Sequence, residues 1–373
     1  MFKESVEFVV QDVLSELSKD QVTGSAFSQA RSKIRPEFFR DLSMVAASHA
    51  ESFAVPRWKG YRVYGGDGST LNLPPSKQIW AHFGIEANSK GKTNRSLARI
   101  FLVYDVLTGL TPSAGLGRTS TGESGMLDDC LKSIPYDPLD LIVLDKNFGH
   151  FYRVSKLLAE QRPFCIRMPV SGSGFAKRSM ADPRKDFITC WEPSKSERET
   201  SPGASPITVR VTKTVLKSGV EELLVSSLTD MEAVSPEDMV KLYSMRWGVE
   251  EGIKNLKPKM KIEHFGAKKP AGIHQEFHAH IFAMNMVALT GLAAAEQVGK
   301  KTKHRKREYK YNWHNAFRWV RDAIVKMFST DKLDNLPEKL ATLVSSSLTA
   351  IRPDRQYSRD GLDRDNPMNP NYK

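Results

Sequence analysis

The amino-acid sequence predicts a mixed α/β layer fold with helical regions at both ends. Three observations carry that reading. Leu141-Ile-Val-Leu144 is short, wholly apolar and closed by Asp145, as in a central strand buried on both faces. Ala98 to Val106 is a second apolar run, ended by a Thr108-Gly109 turn. Helix-period segments, Glu123 to Ile134 and Phe151 to Gln161, alternate with strands in the order β-β-β-α-β-α-β, the third strand only weakly marked.

Taken in order, residues 1–58 predict a helical N-terminal region. Phe8, Val9, Val13, Leu14 and Leu17 recur at helical spacing, as do Phe38, Phe39, Leu42 and Val45. This region suits either a cap on the core or a binder of DNA ends. Residues 59–170 hold the first part of the α/β domain, from the strand containing Tyr61 to Leu73, stopped at Pro74-Pro75, to the strand between Pro163 and Pro169. Residues 171–231 change character. Ser, Pro, Gly and charge dominate up to Pro206 and predict loops. Ile207 to Val215 then alternates, Lys217-Ser-Gly219 turns, and Glu221 to Leu228 returns, a β-hairpin pattern. The segment reads as a β-rich insertion.

Residues 232–298 complete the domain. Ser235 is a good N-cap, Pro236 fits the first helical position, and Asp238 follows at the third. The helix is expected to end near Lys257, stopped by Pro258. A second apolar helix is expected from Glu276 to Val298. Residues 299–373 contain a basic stretch, helices near 313–328 and 337–347, and a polar tail from Pro353.

The chain has 373 residues, 40% of them apolar and 26% charged, enough for a sizeable core and, by length, two or three domains. Lys and Arg total 55 against 43 Asp and Glu, a net charge of +12. That excess favours an anionic partner such as nucleic acid or an anionic membrane surface. No unbroken apolar run reaches the ~18 residues a membrane span needs, and the acid-bearing N-terminal segment does not read as a signal peptide. Cys130, Cys165 and Cys190 are widely spaced and odd in number, which predicts neither a zinc site nor a disulfide framework and suits a cytoplasmic protein.

Three acids stand out. Asp67 lies in GGDGSTLNLP beside the first strand, Asp145 ends an apolar strand in LIVLDKNFGH, and Glu250 lies inside a helix. Ligand sites of α/β sheets gather at strand ends, and such acids are the hard oxygen donors that divalent cations take. Each alone reads equally as a turn former, a cap or a surface pair. Helical geometry sharpens the third. At about 100° per residue, Leu242, Met245, Val249, Ile253 and Leu256 form one apolar stripe, and Tyr243, Arg246, Glu250 and Lys257 a second row within about 60° beside it. The helix is expected to hold that row at the edge of a cleft.

The spacing Tyr243-x2-Arg246-x3-Glu250-x6-Lys257 resembles the Y-R-E-K signature of bacterial insertion-sequence transposases of the DDE class, the family numbered four. Asp67 in an Asp-Gly-Ser segment and Asp145 after an apolar strand stand in that family's order and contexts. The resemblance covers roughly residues 25–290, including FSQARSKI and QEFHAHIFAMNMVA. Asn147 departs from the Gly or Ala common before Phe148, a change of loop shape.

The resemblance implies an RNase H-like sheet with a β-rich insertion before the Glu-bearing helix, and cut-and-paste DNA transposition. Asp67, Asp145 and Glu250 would be the catalytic acids and the ligands of two Mg²⁺ ions, with Mn²⁺ as a substitute. A hairpin at the element end is implied as well. The partners would be double-stranded DNA, as terminal repeats and target, and a second copy of the chain in a synaptic dimer, with no membrane. Tyr243, Arg246 and Lys257 would bind backbone phosphates, and Trp191 would either stack on an extruded base or pack in the hairpin. Lys90, Lys92, Arg95 and Arg99 form one candidate phosphate-binding stretch. Lys300, Lys301, Lys303, Arg305, Lys306 and Arg307 form another. The rival readings are a metal-dependent nuclease without strand transfer and an inactive DNA-binding relative.

Overall fold

The computed structural model describes residues 22–87, 94–171, 174–201, 203–216, 219–329 and 335–351. The predicted helix over the first residues, Lys90, Lys92 and the tail from Pro353 lie outside them.

Among the described residues nine strands form one sheet, in the order β2-β3-β1-β5-β6-β9-β8-β7 with β4 added to β3. Here β1 is Arg62–Leu73, β2 Glu86–Ala87, β3 Asn94–Asp105, β4 Ser113–Arg118, β5 Asp140–Leu144, β6 Phe164–Met168, β7 Asp186–Trp191, β8 Ile207–Val215 and β9 Glu221–Ser226. β1 runs antiparallel to β3 and parallel to β5, and β5 is parallel to β6. The path β4-β3-β1-β5-β6 is that of an RNase H-like sheet. Helices α4 (Glu123–Ser133) and α5 (Phe151–Ala159) cover one face. Helices α3 (Lys77–Phe83), α8 (Pro236–Met245), α9 (Trp247–Lys254) and α10 (Pro270–Thr302) contribute to the other.

The apolar run at 141–144 explains the layering. All five residues of β5 are buried. Ile142 and Leu144 enter the cluster with α4 and α5, while Leu141 and Val143 enter the cluster with α8. Side chains alternate across a strand, so four successive apolar residues, Leu141 to Leu144, must have a layer on each side.

The hairpin predicted at 207–228 is β8–β9, with Gly219 at φ 81° in its turn. It does not stand apart: β9 pairs antiparallel with β6, so the added strands extend the same sheet. Residues 171–206, read as loops, hold α6 (Gly174–Ala181), β7 and α7 (Lys195–Thr200). β7 is six residues between charged turns, and its strand character comes from pairing with β8. Arg210 locks the addition. It is fully buried, forks onto Asp186 at 2.9 and 2.7 Å, and donates to the Leu228 carbonyl at 3.1 Å.

At the N-terminal side, α1 (Gly24–Ser32) and α2 (Pro36–Ser48) confirm the helical reading, but Phe38 and Val45 point outward while Ser43 and Ala46 are buried. The reason is Asn285 on α10. Its buried amide donates to the Ser43 hydroxyl at 2.9 Å and the Thr111 carbonyl at 3.0 Å, and accepts from the Thr111 N–H at 2.7 Å. That polar anchor sets which face of α2 turns inward. α10 spans 33 residues and, by length and composition alone, is apolar enough to cross a membrane; half of its most apolar window is buried. Here it is the central helix of a bundle with α2, α11 (Trp313–Ser329) and α12 (Leu336–Ser346). A short β10–β11 pair, Tyr309–Tyr311 with Leu348–Ala350, accompanies that bundle.

Candidate active site

The three acids arrive from three elements. Asp67 is in mid-β1, opposite Leu102 of β3. Asp145 follows β5 and caps the short turn Lys146–Phe148, accepting from the Asn147 N–H at 3.0 Å. Because β1 and β5 are parallel neighbours, their chain direction carries both acids toward the same end of the sheet. Glu250 comes from α9.

Two glycines let α9 approach closely enough. A Cβ on Gly252 would stand 2.8 Å from the Tyr104 ring, and one on Gly248 2.9 Å from the Val106 side chain. From the other side, a Cβ on Gly65 of β1 would meet Val249 at 3.2 Å. The helix therefore lies flush on β1 and β3 with Val249 as its core contact, and Glu250 between the glycines turns toward Asp67.

Arg246 joins the acids. Its Nη2 donates to Glu250 Oε1 at 2.8 Å, and its Nη1 stands 4.0 Å from Asp67 Oδ2. Both carboxylates are about a quarter exposed, the arginine side chain 9%. Burial raises the Asp67 carboxyl to about 6. The Gly68 N–H and Arg246 oppose that rise, while Asp145 and Glu250 add to it. Clustered carboxylates relieved only in part by one guanidinium are a chemistry that suits a divalent cation with oxygen ligands. Among the described residues, no three His, Cys, Asp or Glu side chains stand close enough together to chelate one ion in the present arrangement. The fit is thus one of donor type and placement, with Glu250 engaged by Arg246.

The helix that carries the row differs from the expected one. It is interrupted at Arg246, where the N–H of Arg246 reaches Tyr243 O and that of Val249 reaches Arg246 O, both at 3.1 Å. Nor does Pro258 stop it. Asn255–Lys259 form a π turn that contains the proline, closed by Met260 N–H to Asn255 O at 2.9 Å. Proline lacks the N–H and displaces the preceding turn, which a wider ring accommodates. The uniform 100° step therefore fails at both ends of the row. Arg246 and Glu250 stay together. Lys257 swings onto β1 and donates to the Thr70 carbonyl at 2.7 Å. Tyr243 is buried in the cluster of Leu141, Val143 and Leu224, and burial pushes its phenol up to about 12.

Other candidates lie elsewhere. Trp191 is 3% exposed and stacks on Phe175 with ring centroids 4.1 Å apart; stacking on a base would require that pair to open. Arg95 and Arg99 sit on β3, Arg99 opposite Thr70 and donating to the Thr121 carbonyl at 3.2 Å. Lys300 to Arg307 cluster at the end of α10, where Arg305 lies 4.7 Å over the Tyr309 ring. Trp247 was not among the residues that the sequence singled out. It is 54% exposed, and Arg246 lies 5.2 Å from its ring. An exposed tryptophan offers a ring face to solvent beside the acids; its place in the signature, directly after Arg246, was the available signal.

Comparison with known proteins bears on these features. A family model described as transposase DDE domain matches residues 58–286. The transposase InsG for insertion sequence element IS4 of Escherichia coli is 22% identical over 293 residues, covering 77% of this chain. The chain spans 65% of that relative's length. A cryo-EM structure of a piggyBac transposase synaptic complex with hairpin DNA aligns with a TM-score of 0.43 and 12% identity, over 81% of this chain and 60% of that one. The family match takes in β1, β5 and α9, and with them all three acids. The chain belongs to the transposase DDE domain family.

Proposed function

We propose that this protein is the cytoplasmic transposase of a bacterial insertion sequence, moving its element by cutting and rejoining DNA at Asp67, Asp145 and Glu250. The observation that carries the proposal is the meeting of Asp67 from β1 and Glu250 from α9 at one guanidinium, with Asp145 at the end of the neighbouring parallel strand β5. Asp67, Asp145 and Glu250 would hold two Mg²⁺ ions through their carboxylate oxygens. When bound, such ions activate the attacking oxygen and stabilise the leaving one. Arg246, between Asp67 and Glu250, and Lys257, at Thr70, would hold the backbone phosphates beside the cut. Arg95, Arg99 and the exposed Lys300–Arg307 run would add sequence-independent attraction. Cleavage by water leaves a 3′-hydroxyl; its attack on the opposite strand would make a hairpin at the element end. Two copies of the chain would pair the two ends.

The test is incubation of the purified protein with a duplex carrying its terminal repeat and Mg²⁺ or Mn²⁺, beside Glu250→Ala. Metal-dependent nicking at the repeat boundary, absent from the variant, is expected, with strand-transfer products when target DNA is added. Cutting that ignores the boundary would favour a nuclease, and binding without cutting an inactive relative.

A further inference from the structure

We infer that Arg246 is a built-in placeholder for the divalent cation: it neutralises the acid pocket while no ion is bound, and it must release Glu250 for an ion to be taken up. The inference rests on the metal-binding reading of Asp67, Asp145 and Glu250.

The geometry is that of a temporary occupant. The guanidinium reaches Glu250 Oε1 at 2.8 Å and approaches Asp67 Oδ2 to 4.0 Å, so it stands between two of the acids an ion would need. Yet it is not fully satisfied there. Its Nε is buried with no hydrogen-bond partner. A buried donor left unpaired carries a desolvation cost, so this pose is not one the fold optimises for the arginine. The other acids are held by weak local donors, Asp67 by the Gly68 N–H at 2.9 Å and Asp145 by the Asn147 N–H at 3.0 Å. Glu250 is the one of the three that the guanidinium hydrogen-bonds, Asp67 being only approached by it. The backbone supplies a joint as well, because Arg246 lies where α8 gives way to α9, outside the regular hydrogen-bond ladder of either helix. Released from Glu250, the guanidinium stays beside the pocket, where a DNA phosphate would meet it. Phosphate and ion would then each loosen the arginine from the acids. By linkage, DNA binding should raise metal affinity and metal should raise DNA affinity by the same factor.

The experiment is calorimetric titration of the full chain with Mn²⁺, without DNA, for the wild type, Arg246→Gln and Asp67→Asn. Removing the resident charge should make Arg246→Gln bind Mn²⁺ roughly tenfold more tightly or better. In EDTA that variant should melt below the wild type, and Mn²⁺ should raise its melting temperature more than it raises the wild type's. A nonspecific duplex should tighten Mn²⁺ binding in the wild type and have little effect in the variant. Mn²⁺ binding that is lost in Asp67→Asn yet equal or weaker in Arg246→Gln would overturn the placeholder role and leave the acid site standing. Mn²⁺ binding indifferent to Asp67→Asn, or absent from both the wild type and Arg246→Gln, would remove the metal site and the placeholder together. Should Arg246→Gln fail to fold, Arg246→Lys decides. It keeps the charge but lacks the fork, and should bind Mn²⁺ about two- to threefold more tightly than the wild type; a folded Lys variant with unchanged affinity overturns the inference.

Discussion

Arg210 and Arg246 are both held by carboxylates beside the same sheet, and the two sites are built differently. Arg210 is completely buried. All three of its nitrogens are bound, and its partner Asp186 also accepts from the Thr212 hydroxyl at 2.7 Å. Arg246 leaves Nε unpaired and leans on carboxylates that face solvent. A sealed, saturated pair cannot exchange partners without exposing a bare charge, so it serves to fasten β7 to β8. An open, unsaturated pair can exchange. The same residue chemistry thus gives a clamp in the added strands and an exchangeable group in the acid pocket, and saturation separates them.

The comparison breaks first at the acids. Glu250→Gln or Asp67→Asn should lower DNA cleavage on the order of a thousandfold or more while leaving the thermal transition nearly in place. A Glu250→Gln protein that still nicks at the repeat boundary would remove the open pair from the chemistry. The clamp should respond in the opposite way. Asp186→Ala strands a buried guanidinium and should cost about 3–5 kcal/mol in urea unfolding; a loss under about 1 kcal/mol would make Arg210 no different from a surface residue.

A pH scan tests a third region. Burial, then the charges of His274 and Arg40, push the His278 imidazole down from 6.5 to about 4. The folded state therefore prefers the neutral ring. Its stabilisation is complete above pH 6.5 and is lost as pH falls from 6.5 toward 4. His274 and His280 on the same helix shift in the same direction, each chiefly through burial. Unfolding free energy should drop by about 2–3 kcal/mol across that window, and His278→Phe should flatten the slope. Gly252→Ala should cost about 1–3 kcal/mol by driving a methyl into the Tyr104 ring. It should also slow cleavage, because Glu250 moves with the helix. The smallest effect is expected at Arg305→Gln with Arg307→Gln. Folding should be unchanged, and the slope of log DNA affinity against log salt should fall by about 0.9 for each phosphate that the variant no longer neutralises.

Much of the fold was legible because its signals are local. The burial of β5 on both faces follows from Leu141 to Leu144 having no polar member. The Ser235 cap is present with its Asp238 partner, as the spacing required. The β8–β9 hairpin follows from alternation and a glycine turn. β7 was missed because six residues flanked by charge say little until a partner strand is beside them. Within the site, the chain order and contexts of the acids pointed to Asp67, Asp145 and Glu250. The row Tyr243–Lys257 misled at both ends, since it assumed one unbroken helix.

What the sequence by itself determined was therefore the set of elements and their approximate limits, and through its family resemblance it named three acids as candidates. Periodicity, capping and spacing are properties of neighbouring residues, and they survive without knowledge of what lies across the sheet. The tertiary structure alone decided that Arg246 stands between Asp67 and Glu250, and that Gly248 and Gly252 let the helix come that close. It also placed Trp191 and Tyr243 in the core and carried the added strands on the same sheet. Each of these depends on contacts between residues distant in the chain, where the outcome is set by which surfaces meet and how closely.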